Sequence, residues 1–160
     1  MAGLRFRIAD PSEYPRLRDL IIDSFEPITW FKKLDQLYGP LNGSDWRRRW
    51  EKRLAVVFRT ETIMVGEVEG EIVAAATGTY DEDAALGFID LLAVDKRSKG
   101  LGHGRAMLRG MLDHFRRLGG KYANLDCLAD NVAGNGLYQS EGWRIVASSN
   151  RYFIELGERE

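Results

Sequence analysis

Lys99-Gly100-Leu101-Gly102-His103-Gly104-Arg105 follows an apolar run ending at Leu92-Ala93-Val94, and this is where the sequence is best equipped for chemistry. Glycines let a backbone approach a ligand closely. A helix starting near His103 would add free first-turn N–H groups and the positive end of its dipole. The ligand that suits such a loop is a phosphate. Spacing excludes two other phosphate loops: no Gly-Lys-Ser/Thr ends the stretch, and Arg105 stands where a dinucleotide loop would want its third glycine. Carboxylates supply the second chemistry. Asp90 interrupts Phe88-Ile89-Asp90-Leu91-Leu92, Asp126 lies near the end of the run 122–128, and Glu67 is a third candidate. An acid inside an apolar strand is expensive unless it is paired or faces a cleft. Cys127 is the only cysteine, so an internal disulfide or a cysteine-rich zinc site is excluded, and strand alternation turns it away from Asp126 into the core.

The chain has 160 residues, 44% of them apolar, enough for the core of one domain spanning 1–160. Its 23 basic and 24 acidic residues leave a net charge of -1, which favours neither a disordered chain nor nucleic-acid binding. The near-neutral total conceals two blocks. Nine acids and no Lys or Arg lie between Thr60 and Asp95, whereas eight Lys or Arg and a single acid lie between Lys96 and Lys121. Blocks of one sign focus the field on ligands of the other, so a polyanion suits 96–121 and a cationic amine suits the acidic strands. No stretch approaches a membrane span, and the N-terminus lacks the apolar core of a signal peptide. A soluble, cytoplasmic protein with no membrane or nucleic-acid partner is expected.

Leu4, Phe6 and Ile8 alternate with Arg5 and Arg7 as a short strand, and a helix carrying Leu17, Leu20, Ile21 and Phe25 follows. The aromatic stretch 27–58, broken by Gly39-Pro40 and Asn42-Gly43, predicts short helices, the second starting at Ser44. Strand periodicity over 63–68, 72–80 and 86–94 predicts a meander. Leu108, Met111, Leu112, Phe115 and Leu118 predict a helix ended by Gly119-Gly120. A strand over 122–128, a helix over 134–141 and two paired strands over 143–148 and 152–156 complete a mixed α/β order.

Val94 to Leu108 resembles the Gln/Arg-x-x-Gly-x-Gly/Ala motif of the GCN5-related N-acetyltransferase (GNAT) family, which holds the acetyl-CoA pyrophosphate. The register Lys99-Gly100-Leu101-Gly102-His103-Gly104 keeps the family spacing from Val94, with Lys99 in place of Gln or Arg and His103 in place of an aliphatic residue. A second segment, Asn131-Val132-Ala133-Gly134-Asn135-Gly136-Leu137-Tyr138-Gln139-Ser140-Glu141-Gly142-Trp143, is similar to the family's Asn-x-x-Ala-x-x-Leu-Tyr-x-x-x-Gly-Phe signature, with Gly for Ala and Trp for Phe. The resemblance implies a single-domain, mostly antiparallel mixed sheet flanked by helices and splayed between the fourth and fifth strands.

It also implies acetyl-CoA as co-substrate, no metal, and direct attack of an amine on the thioester. Deprotonating an alkylamine of pKa about 10.4 near neutral pH costs roughly 4 to 5 kcal/mol, so a general base is useful. A backbone N–H on the strand around Leu92, Ala93 and Val94 would meet the oxyanion, a role worth roughly 3 to 4 kcal/mol. Tyr138 matches the family's general acid, and Asn131 matches the residue that bonds the pantetheine arm. Asp126 matches the carboxylate base of ribosomal-protein N-terminal acetyltransferases; Asp90, Glu67 and a water relay stay open beside it. Acceptors would lie against Phe25, Trp30, Phe31, Tyr38, Trp46 and Trp50, which read equally as core, and Arg47-Arg48-Arg49 could meet an acidic part of the acceptor. The acceptor is a small-molecule amine, a peptide N-terminus or a lysine, and a homodimer stays open. The rival reading is a non-catalytic acyl-CoA-binding or sensing module on the same fold.

Overall fold

In the computed structural model, which describes residues 3–159, two local rules explain most of the helices. Asp10, Thr29, Asp45 and Asn131 each cap a helical turn with a side-chain oxygen, satisfying an N–H that the helix cannot. Buried apolar residues then recur three and four apart along each longer helix. The chain divides into two compact units, Met1–Asp126 and Cys127–Glu160.

The first unit runs β1 (Arg5–Ile8), α1 (Tyr14–Phe25), α2 (Trp30–Tyr38), α3 (Trp46–Thr60), β2 (Thr62–Val68), β3 (Glu71–Asp81), β4 (Leu86–Val94), α4 (His103–Arg117) and β5 (Tyr122–Leu125). The sheet order is β1-β2-β3-β4-β5, antiparallel throughout except for the β4–β5 pair, which is parallel across the α4 crossover. One face carries α1 and α3: Leu17, Ile21, Trp50 and Leu54 pack on Ile63, Val65, Ala75, Leu91 and Ala93. The other face carries α4, whose Met107, Met111 and Phe115 ride over Gly66, Gly78 and Gly87 on three successive strands. Close approach explains these glycines. A Cβ at Gly87 would stand 2.3 Å from the Phe115 ring.

The second unit holds α5 (Val132–Ser140) and the residues after it. The strands expected at 143–148 and 152–156 are absent, so the described residues form a five-stranded sheet. The strand signal there was composition alone. Val146 is 95% and Tyr152 89% exposed, and β-branched or aromatic side chains favour strands only through packing on a pleated, half-buried surface. Three further expectations change. Instead of a short helix from Ser44, α3 is a 15-residue helix capped by Asp45, because its Trp50, Leu54 and Val57 stripe is long enough to cover the sheet. The strand expected over 122–128 stops at Leu125, and the helix expected from 134 begins at Val132. Among the described residues no helix is long and apolar enough to cross a membrane.

Candidate functional site

Pairing between β4 and β5 ends at Ile89 and Leu125, so from Asp90 to Val94 strand β4 is splayed from its neighbour. A second irregularity falls at the same place. On the β3 side Gly78 pairs with Ile89 and Thr77 with Leu91, which leaves Asp90 as the extra residue of a β-bulge. A bulge re-aims a side chain and reverses the alternation beyond it. Ile89 accordingly follows Gly78 toward α4, whereas Leu91 lies with Thr77 on the α1/α3 face. The Asp90 carboxylate meets Arg53 of α3, with Nη2 donating to Oδ1 at 2.9 Å. Arg53 in turn lies 4.9 Å over the Trp50 ring.

Glu61, where α3 ends and β2 is about to begin, faces the same carboxylate. Burial first, and then the Asp90 carboxyl beside it, push the Glu61 carboxyl up to about 7, while the Thr77 hydroxyl and the Arg53 charge act in the opposite sense. Because the folded chain holds this proton longer than an unfolded one, the stability it contributes is full below about 4.5 and is lost as pH rises through about 7. Neither Glu61 Oε1 nor Thr77 Oγ1, both buried, completes a hydrogen bond of ordinary length and angle. Glu61 and Thr77 were not visible in the sequence as neighbours of Asp90. The strand register and the bulge bring Thr77 and Asp90 to the same face, and the end of α3 brings Glu61.

The glycine loop leaves β4 through a short helical turn at Lys96–Ser98, where Arg97 is folded back onto Asp95. Lys99 is extended, Gly100 and Gly102 have φ of 80° and 82°, and Leu101 between them is exposed. A side chain at either glycine would meet nothing within 4 Å, so backbone conformation rather than space requires glycine here. Gly102 is the N-cap of α4 and supplies no capping side chain. The first-turn N–H groups at His103, Gly104 and Arg105 therefore meet no cap from residue 102, as an anion site requires. On the splayed strand, Ala93 is buried, Leu92 and Val94 are half-buried, and the Val94 N–H donates to Ser24 Oγ at 3.2 Å.

In the second unit Asn131 caps α5, its Oδ1 accepting from the Gly134 N–H at 3.1 Å. A Cβ at 134 would lie 2.5 Å from Asn131 Nδ2 and 3.0 Å from Cys127 Sγ, which explains glycine where the related motif has alanine. The helix ends in a Schellman motif: Trp143 N–H donates to the Tyr138 carbonyl at 3.0 Å and Gly142 N–H to that of Gln139 at 3.1 Å, with Gly142 at φ 90°. The Gly-Trp pair thus seats the indole edge-on to the Tyr138 ring, centroids 6.0 Å apart. Burial pushes the Tyr138 phenol up to about 12, so it keeps its proton across the neutral range. Burial likewise raises the Cys127 thiol, which makes it a poor nucleophile.

Two candidate bases have other surroundings. Asp126 is exposed just past the end of β5. Glu67 accepts from Arg7 Nε at 2.6 Å, and Arg7 also clasps Glu13. The aromatic stretch is largely core: Trp50 is 2% exposed, donates Nε1–H to Thr29 Oγ1 at 2.8 Å and packs on Phe25 and Phe31. Within Arg47-Arg48-Arg49, Arg47 pairs with Asp19 and Asp23, and Arg49 pairs with Asp35.

The acetyltransferase (GNAT) family model matches residues 16–143. Among solved structures, a Pyrococcus furiosus protein classed as an acetyl transferase is 22% identical, covering 94% of this chain and 100% of its own, with a TM-score of 0.70. A ribosomal-protein-alanine N-acetyltransferase from Brucella melitensis is 14% identical over 96% of this chain and 100% of its own, TM-score 0.65. The protein AAC(6')-Iy, solved with the bisubstrate analogue CoA-S-monomethyl-acetylneamine, is 10% identical over 97% and 100%, TM-score 0.65. No curated protein matches the chain at a significant level. With the family pattern running through the splayed β4, the glycine loop and α5 alike, the chain belongs to the GNAT family of acetyltransferases.

Proposed function

We propose that the protein is an acetyl-CoA-dependent N-acetyltransferase that moves an acetyl group to a primary amine. The observation that carries this reading is the start of α4, where two left-handed glycines precede a first turn without a capping side chain, directly after the splayed segment of β4. That arrangement fits a pyrophosphate, whose oxygens accept from the loop N–H groups. Lys99 and Arg105 add positive charge. The donor molecule supplies the activated acetyl group; the chain binds it, holds its carbonyl against the β4 backbone at Leu92, Ala93 and Val94, and moves protons. Asn131 would bond the pantetheine arm, Tyr138 would protonate the departing sulfur, and a carboxylate would take the amine proton. Of the three candidates, Asp90 has the best support for that role, because the bulge places it where the splay begins.

The acceptor class is bounded by charge. A cationic amine suits the acidic strands, and two proteins of similar fold differ widely, one named for a ribosomal-protein alanine and the other solved with a bisubstrate analogue that joins CoA to acetylneamine. The experiment is a panel of small amines and peptides with acetyl-CoA and a thiol readout. Release of free thiol that requires an amine is the expected result; tight acetyl-CoA binding with no release for any member would instead support a sensing module.

Gly102→Val tests the loop separately. Valine at φ 82° is strained, and its branched side chain would shift the loop N–H groups. The folded variant should lose at least tenfold in acetyl-CoA affinity by calorimetry, and wild-type affinity should fall with added salt. An unchanged affinity in the variant would remove the loop from the binding site.

A further inference from the structure

We propose that Ser24 binds the pantetheine arm of the acetyl donor: its hydroxyl holds the Val94 N–H at the splay of β4 and gives its own proton to an amide carbonyl of the arm. The identity of the ligand rests on the acetyltransferase reading above, whereas the place of the hydroxyl is set by α1 and β4 alone. Leu17, Leu20, Ile21 and Ser24 follow one another at helical spacing on α1, and the first three are at most 5% exposed. A hydroxyl thus completes a stripe that is otherwise apolar. Taking it out of water is costly unless it is bonded, and helical hydroxyls commonly bond back to their own helix. Thr60 does so to the Val56 carbonyl and Ser140 to that of Leu137. Ser24 does not. Among the described residues it accepts from the Val94 N–H at 3.2 Å and donates to no protein group.

The direction of the strand's N–H groups shows what this bond does. Asp95 N–H donates to the Val73 carbonyl on β3 at 2.8 Å, and successive N–H groups of a strand point to opposite sides. Ala93 N–H therefore faces β3, whereas Leu92 and Val94 N–H face the open side, past the last β4–β5 pair at Ile89 and Leu125. Ser24 takes one of these two donors. Leu92 keeps the other for a ligand.

An extended, amide-bearing ligand can lie along such an edge as an added strand does. At residue 94 it would meet a hydroxyl in place of a backbone N–H. A hydroxyl that accepts one hydrogen bond still has a proton to donate, and rotation about its C–O bond aims that proton. The pantetheine arm carries two amide carbonyls and ends at the thioester carbonyl, all of them acceptors. Ser24 and Leu92 are donors of matching kind, one from a helix and one from the strand.

The test measures affinities of the intact protein by calorimetry for acetyl-CoA and for ADP, which has the pyrophosphate but no arm. Ser24→Ala should weaken acetyl-CoA about three- to tenfold, the worth of one neutral hydrogen bond, and leave ADP within about twofold. Ser24→Thr, which keeps the hydroxyl, should stay within about twofold for both. A smaller loss in Ser24→Ala, or an equal loss for ADP, overturns the assignment. Amide hydrogen exchange in the wild type gives a second reading that needs no variant. Val94 should be protected with or without ligand, and Leu92 should slow about tenfold with acetyl-CoA only. A Val94 amide that exchanges freely until acetyl-CoA arrives also overturns the assignment, because the arm rather than the serine then holds it. Acetyl transfer is scored separately. If Ser24→Ala loses acetyl-CoA affinity selectively but no amine makes the wild type release thiol, the role of Ser24 stands and the acetyltransferase reading falls. If amines are acetylated and Ser24→Ala binds acetyl-CoA as the wild type does, the reading stands and the role of Ser24 falls.

Discussion

Tyr138→Phe should slow acetyl transfer about 100- to 10,000-fold, the usual worth of a positioned general acid, while acetyl-CoA affinity stays close to wild type. The phenol's environment sharpens the expectation. Burial holds it at about 12, whereas a free thiol titrates near 8.5, so a stepwise transfer to the thiolate would run uphill by about 5 kcal/mol. Tyr138 is therefore effective only if its proton moves in concert with the departure of the sulfur rather than after it. A phenol held at about 12 predicts that wild-type turnover shows no phenol-dependent fall between pH 8 and 10. A falling limb near pH 10 that vanishes in Tyr138→Phe would mean an ordinary, water-exposed phenol. Full turnover in the variant would leave Tyr138 as the residue on which Trp143 packs and nothing more.

How far the sequence displayed this site depends on whether each part is specified locally. The glycine loop and the start of α4 were legible, because left-handed backbone and an uncapped helix start are properties of a few consecutive residues. The segment from Asn131 to Trp143 was legible for the same reason: the cap and the Schellman turn that bound its helix are each set within six residues. The extent of β4, Leu86–Val94, was likewise evident from its apolar run. Asp90 could be seen as an acid out of place in that run, but its surroundings could not. They depend on the offset between β3 and β4, and one extra residue in one strand turns a side chain to the other face. Glu61 and Thr77, one at a helix end and the other within Ala-Ala-Ala-Thr-Gly, carry no local mark of their place beside Asp90. Asp126 shows the converse. Its motif neighbour Asn131 made it prominent, yet β5 ends at Leu125 and leaves it exposed. The last two expected strands failed on the same ground as Asp90's setting, since pairing is a relation between segments and alternation in one of them cannot supply it.

Asp90→Asn is accordingly expected to have the larger effect of the two carboxylate substitutions, lowering kcat/KM for amine roughly 100-fold or more near neutral pH. The amide keeps the shape and an oxygen for Arg53 to bond, but it cannot take a proton from the amine. Asp126→Asn should stay within about threefold of wild type, because nothing in its exposed position ties it to the splayed strand. The pH profile separates loss of the base from loss of structure. In the wild type, kcat/KM should rise with pH through about 7, where the Glu61 carboxyl, raised by burial and by Asp90, gives up its proton. Asp90→Asn removes the neighbouring negative charge, so Glu61 should deprotonate at lower pH and that limb should move down. What activity remains should climb again toward pH 10 as free amine accumulates. A variant that is merely misfolded would lose activity at every pH and show no such recovery. Should Asp126→Asn produce the collapse and the high-pH recovery while Asp90→Asn keeps its rate, the base lies past the end of β5, and the bulge at Asp90 serves the α3 packing through Arg53 instead. If neither variant responds, neither Asp90 nor Asp126 is the base, and an ordered water would carry the amine proton in their place.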